Sequence, residues 1–112
     1  MISVVGIGNA ASKVVSKFSE IPQYDVYMLN SEVKKNSKYK HKLARLEDPE
    51  QCEQNVPDLK KFFSGLKKRV QVYIVGASIS SNYSLGVLEQ IKDHELDIVY
   101  IKPDTTLLSG LP

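Results

Sequence analysis

Cysteine is almost absent from this chain. The single thiol, Cys52, excludes an intramolecular disulfide and a thiolate zinc cluster. It fits a reducing compartment, so a cytoplasmic protein is expected. Histidine is nearly as scarce. His41 and His94 lie far apart among lysines and acids and make no metal-ligand spacing, so no metal site is expected. Long apolar runs are missing as well. None approaches the ~20 residues that span a bilayer, and no charged segment leads into a long apolar stretch at the N-terminus. Neither a membrane span nor a signal peptide is expected. A net charge of +2 gives no overall argument for nucleic acid. Internal repeats and low-complexity linkers are also lacking.

What remains is an ordinary globular composition, 42% hydrophobic and 25% charged. The 112 residues allow one domain with a modest core and no separate substrate domain.

The strongest local pattern is at the start, MISVVGIGNAASKVVSKF. Ile2–Val5 is β-branched and apolar and ends at Gly6, which predicts a buried strand. Ala11, Val14, Val15 and Phe18 recur at helical spacing, with Ser12, Lys13, Ser16 and Lys17 on the opposite face. Asn9 is the expected cap of this helix and Pro22 its stop. Asp25–Leu29 predicts a second strand, parallel to the first because a helix separates them. Lys34–Arg45 is basic and lacks apolar periodicity. It predicts a loop with a short helix or an edge strand near Lys42–Leu46. Two readings stand open for it: a solvated loop, or a contact surface for phosphates or an acidic partner.

Asp48-Pro49 marks a turn or helix start. Leu59, Phe62, Phe63 and Leu66 predict a helix over Pro57–Lys67. Val70–Val75 is apolar at almost every position, as in a parallel strand covered on both faces. Leu85, Val87, Leu88 and Ile91 predict a third helix ending near His94, and Asp97–Ile101 a last strand. Strands alternating with helices imply an α/β fold, a three-layer sandwich around a small, mainly parallel sheet.

Two loops carry the candidate chemistry. Gly6, Gly8, Asn9, Ala10 and Ala11 fit G-x-G-x-x-A between strand and helix. Glycine lets the backbone approach an anion, the helix start offers unpaired N–H groups, and small Ala11 permits close packing on the strand. The alternative is a tight turn with no ligand. The second loop, Gly76, Ala77, Ser78, Ile79, Ser80, Ser81 and Asn82, follows a strand and precedes a helix. Its N–H groups and serines suit a phosphate, or it is a helix cap with Ser81 or Asn82 as cap residue. A dinucleotide site would want an acid at the end of the second strand. Asn30 stands there, with Glu32 two residues late, so an NAD reading is disfavoured. No glycine loop is followed by Lys-Ser or Lys-Thr, which excludes a standard P-loop. No catalytic constellation is apparent.

Together these segments resemble the N-terminal half of the tubulin/FtsZ GTPase family. ISVVGIGNAASKVVSKF is similar to its first strand, first glycine loop and first helix. VYMLNSE resembles its second strand and the Asn-x-Asp that follows, with Asn30 and Glu32 in those places. VQVYIVGASISSNYSLGVLEQIKDHELDIVYIKPD resembles its fourth strand, signature loop, fourth helix and fifth strand, ending in the Lys102-Pro103 turn. The resemblance implies a tubulin-like, Rossmann-like half-domain with the N-terminal strand central and Asp97–Ile101 near an edge. It implies GTP or GDP as ligand, held by Gly6, Gly8, Asn9, Ala10, Ala11, Asn30, Gly76, Ala77, Ser78, Ser80, Ser81 and Asn82.

The signature loop departs from the family's glycine-threonine run and keeps only Gly76. The family's central helix, guanine contacts and catalytic acid lie beyond Pro112, so the chain is expected to be a fragment or a reduced descendant. A non-catalytic or weakly nucleotide-binding module that acts by self-assembly or with a protein partner is the leading expectation. The alternative is a structural or adaptor protein, such as a virion component, that kept the fold and lost the nucleotide.

Overall fold

The computed structural model describes residues 1–76 and 79–102. Five strands form one all-parallel sheet: β1 (Ile2–Ile7), β2 (Tyr24–Asn30), β3 (Lys40–Lys42), β4 (Arg69–Val75) and β5 (Glu95–Ile101). Their order is β3-β2-β1-β4-β5, which puts the N-terminal strand in the middle and the last strand at an edge. Val5 pairs with Tyr27 on one side and Val72 on the other, so β1 is enclosed by neighbours. The predicted edge strand is real but short, and sits slightly earlier than Lys42–Leu46.

Alternate residues divide the core into two layers, because successive side chains of a strand point to opposite faces. On one face, helix α1 (Asn9–Val15) buries Val15 against Val4 and Val26, flanked by Phe18, Tyr24, Met28 and Tyr73. The other face carries the larger core. Val5, Ile7, Tyr27, Leu29, Val70, Val72 and Ile74 meet Cys52 of helix α2 (Pro49–Gln54) and Val87 of helix α3 (Ser84–Gln90), with Leu59, Phe63, Tyr83 and Ile91. The protein is therefore a small three-layer α/β sandwich. Among the described residues, no helix is long and apolar enough to cross a membrane.

The helices depart most from expectation. The first is α-helical only to Val15 and continues as a 3-10 stretch over Ser16–Glu20. There Ser16 and Ser19 donate their hydroxyls to the carbonyls of Lys13 and Ser16, which competes with regular helix bonding. Ser12, expected on the polar face, is buried. The Pro57–Lys67 helix is replaced by a 3-10 turn at Phe62–Gly65. Gln90 holds this segment from outside, accepting from the Leu59 N–H and donating to the Pro57 carbonyl. Leu59 and Phe63 still bury, so the apolar spacing reports a face and not a full helix. The α-helix of this region is α2, started by Asp48, whose carboxylate accepts from the Glu50 N–H at 2.9 Å. In α3 the buried positions are Ser84, Val87 and the following Ile91, whereas Leu85 is exposed.

Candidate functional site

In an open parallel sheet, ligands bind where connections leave the strand ends in opposite directions. Here that place lies between the ends of β1 and β4, where α1 departs to one face and the 79–83 turn with α3 to the other. Both glycine loops end there. A crevice of about 570 Å³ opens at this position. Its lining includes Asn9 at the start of α1, Ser31 and Glu32 after β2, Arg45 and Glu47 after β3, and Ser80 and Tyr83 before α3.

The first loop is built as a glycine corner. Gly8 has φ 100°, a conformation that a side chain would strain. Gly6 lies under α1, where an added Cβ would stand 2.9 Å from the Ala11 carbonyl oxygen. Ala11 is buried in the helix–strand contact and Ala10 half-buried. One donor at this corner is nevertheless engaged within the chain. The Gly8 N–H donates to the Leu29 carbonyl at 2.7 Å, and α1 spans only seven residues.

Asn9 does not cap α1, where the cap position is Gly8. Its amide reaches across to Ser31, accepting from the Ser31 N–H at 3.0 Å and donating to the Ser31 hydroxyl at 3.1 Å. Asn30 is held still more fully. It donates to the Ser12 hydroxyl at 2.9 Å and accepts from the Glu32 and Val33 N–H groups, each at 3.0 Å. Two asparagines thus join the β1–α1 corner to the end of β2.

In the second loop, the Gly76 N–H donates to the Ile101 carbonyl at 3.0 Å. Ala77 and Ser78 lie outside the described residues. Asn82 donates to the Ile79 carbonyl at 2.8 Å, and neither it nor Ser81 caps α3, whose cap position is Tyr83. Of the expected site residues, Asn9 and Ser80 meet in the crevice. Asn30 borders a separate depression with Glu32, Val33, Lys34, Lys35 and Lys40.

Spacing did not single out Glu32, Arg45, Glu47 or Tyr83 for the crevice. Three of them arrive on connections whose course depends on tertiary packing, and one from the 3-10 turn before α3. The charges are mixed, one guanidinium against two carboxylates, which makes a weak setting for a polyphosphate. At the base, Cys52 is fully buried, and burial pushes its thiol pKa up. Burial likewise raises the Tyr83 pKa, and its hydroxyl donates to the Ala44 carbonyl at 2.7 Å.

The basic loop is ordered by Asn36, which accepts from the Lys42 N–H at 2.8 Å, and by the Met28 N–H donating to the Tyr39 carbonyl. Lys34, Lys35, Lys38, Lys40 and Lys42 are exposed, and among the described residues none of them pairs with a carboxylate. No three His, Cys, Asp or Glu side chains converge as metal ligands among the described residues. Compared with known protein families, curated proteins and solved structures, the chain matches none.

Proposed function

We propose that this chain is a non-catalytic, tubulin-like half-domain that works by assembly, with the edge of β5, unpaired among the described residues, as its joining surface. The observation that carries the reading is the inequality of the two sheet edges. The β3 edge is three residues long and bears Lys40 and Lys42, features that blunt an edge against further pairing. The β5 edge is seven residues long, with Ile98, Val99 and Tyr100 exposed at 52%, 37% and 60%.

Its backbone is set for pairing. The Glu95 N–H bonds to the Lys68 carbonyl and the Ile101 carbonyl to the Gly76 N–H, so the odd-numbered residues face β4. Leu96, Ile98 and Tyr100 therefore direct their N–H and C=O groups outward. The acids of β5 are already held from the β4 side, Asp97 by Arg69 at 3.1 Å and Glu95 by Lys68 at 3.6 Å. A second copy is a suitable occupant. Antiparallel pairing about a two-fold axis at Val99 sets Ile98 of each copy opposite Tyr100 of the other and opposes no like charges.

The hydrogen bonds of Asn9, Asn30 and the Gly8 N–H within the chain give these residues a structural role that fits the reading. A cytosolic setting, which Cys52 fits, goes with this reading. The basic loop is a further surface suited to an acidic partner. Ile98→Lys places a charge at the centre of the joined strands. It is expected to abolish self-association while leaving the thermal midpoint of the monomer within about 3 °C, as for an exposed site. Light scattering coupled to gel filtration reads the first effect and a thermal melt the second. Self-association undiminished in this variant would sink the reading.

Weak binding of GTP or GDP is a second reading, favoured by the crevice that brings Asn9 and Ser80 together. Calorimetry with GTP, GDP and ATP decides it. Tight GTP binding with turnover by this chain would contradict the non-catalytic proposal.

A further inference from the structure

The sheet edge opposite β5 carries a cavity that the assembly reading does not use. Its volume is about 600 Å³, within the range of small-molecule sites. The Tyr27 ring reaches it from the middle of β2, packed edge-on against Tyr39 and Phe62 at centroid distances of 5.2 and 5.5 Å. Tyr27 is only 1% exposed as a residue, but its hydroxyl oxygen reaches open space and makes no hydrogen bond among the described residues. A hydroxyl that opens onto the cavity is available to donate to an acceptor entering it.

Two lysines stand at the rim against one acid. Lys38 and His41 come from the basic loop and Lys61 from the turn before Phe62. Asp58 is the one acid, and its carboxylate already accepts from the Lys60 N–H at 3.1 Å. Phe62 and His41, with centroids 5.3 Å apart, supply an apolar wall. Burial, with Asp25 and Tyr39 adding to it, raises the Tyr27 pKa, so the phenol stays a neutral donor at physiological pH. Gly65 keeps the hydroxyl accessible, because a Cβ there would sit 3.2 Å from the Tyr27 oxygen.

We propose that this cavity binds a small aryl anion, its carboxylate or phosphate accepting from the Tyr27 hydroxyl beside Lys61 and Lys38, its ring against Phe62. The site is independent of the assembly reading and of the crevice at the strand ends. It gives the basic loop a specific use, as one wall of a ligand pocket.

The test is an amide-resolved NMR titration of the whole chain with phenyl phosphate and with benzoate, against phenol and inorganic phosphate as controls. At least one aryl anion is expected to cause saturable shifts at Tyr27, Phe62 and Gly65, with both controls weaker by about tenfold or more. Tyr27→Phe is expected to weaken that probe about tenfold with no loss of thermal stability, because the hydroxyl has no partner to lose. Gly65→Val is expected to block the cavity. Should that variant fail to fold, Tyr27→Phe alone decides. The proposal is overturned if neither aryl anion saturates, if inorganic phosphate binds as well as they do, or if Tyr27→Phe binds like the wild type.

Discussion

Gly6→Val is expected to remove most of the chain's stability at 25 °C. A Cβ at this position would stand 2.7 Å from Val15 Cγ2, 2.9 Å from the Ala11 carbonyl oxygen and 3.1 Å from the Ala11 carbonyl carbon. The first neighbour is a side chain that fills the small α1 layer, fully buried against Val4 and Val26. The other two are backbone atoms of α1 and move only if the helix moves. Overpacking of this kind costs about 1–3 kcal/mol for modest additions, and valine adds two methyl groups beyond the Cβ. A total on the order of 4 kcal/mol or more is comparable to the low end of small-domain stability, about 5 kcal/mol. Gly6→Ala should fall between, at about 2–3 kcal/mol.

Cys52 supplies the readout. It is fully buried and its thiol pKa is raised, so little thiolate is present or reachable near neutral pH in the native chain. A thiol reagent should modify Gly6→Val at once and the wild type only as fast as it opens. Wild-type protection and a wild-type melt in Gly6→Val would refute the close-packed corner.

Asn30→Ala is expected to destabilise the fold by about 2 kcal/mol, lowering the thermal midpoint by roughly 10 °C. The change removes the donor to the buried Ser12 hydroxyl and the acceptor for the Glu32 and Val33 N–H groups. Asn30→Asp retains the acceptor and should cost about half as much, since the Ser12 hydroxyl can turn to donate. The pair also separates two roles for this residue. A ribose-binding Asn30 would change nucleotide calorimetry and leave the melt alone. The engaged geometry predicts the reverse, a lowered melt for Asn30→Ala in the absence of any nucleotide.

Strands were far more legible in the sequence than helices, for a physical reason. A strand within a parallel sheet is a continuous apolar run, as ISVV, DVYML and VQVYIV are, and the run DIVYI likewise lies within an observed strand although that strand is an exposed edge. The helical spacing of Leu59, Phe62, Phe63 and Leu66 identified an inward face correctly, but a 3-10 turn braced by Gln90 satisfies the same spacing. Nothing local in Gln90 announces that its amide will bond a backbone some thirty residues earlier. The same limit applies to the candidate site. G-x-G-x-x-A placed the glycine corner, yet whether Asn9 faces a ligand or Ser31 depends on where β2 ends relative to α1. The Tyr27 cavity was less visible still, since it joins a strand residue to a basic loop and to Lys61 and Gly65, far apart in the chain.

The most direct test of assembly through β5 is sedimentation equilibrium of the wild type and Ile98→Lys over a wide concentration range. The wild-type mass is expected to rise with concentration above the 12.6 kDa of one chain, while Ile98→Lys stays at that value throughout. A wild type that remains at 12.6 kDa at every concentration, or an Ile98→Lys variant that associates equally well, would contradict assembly through β5.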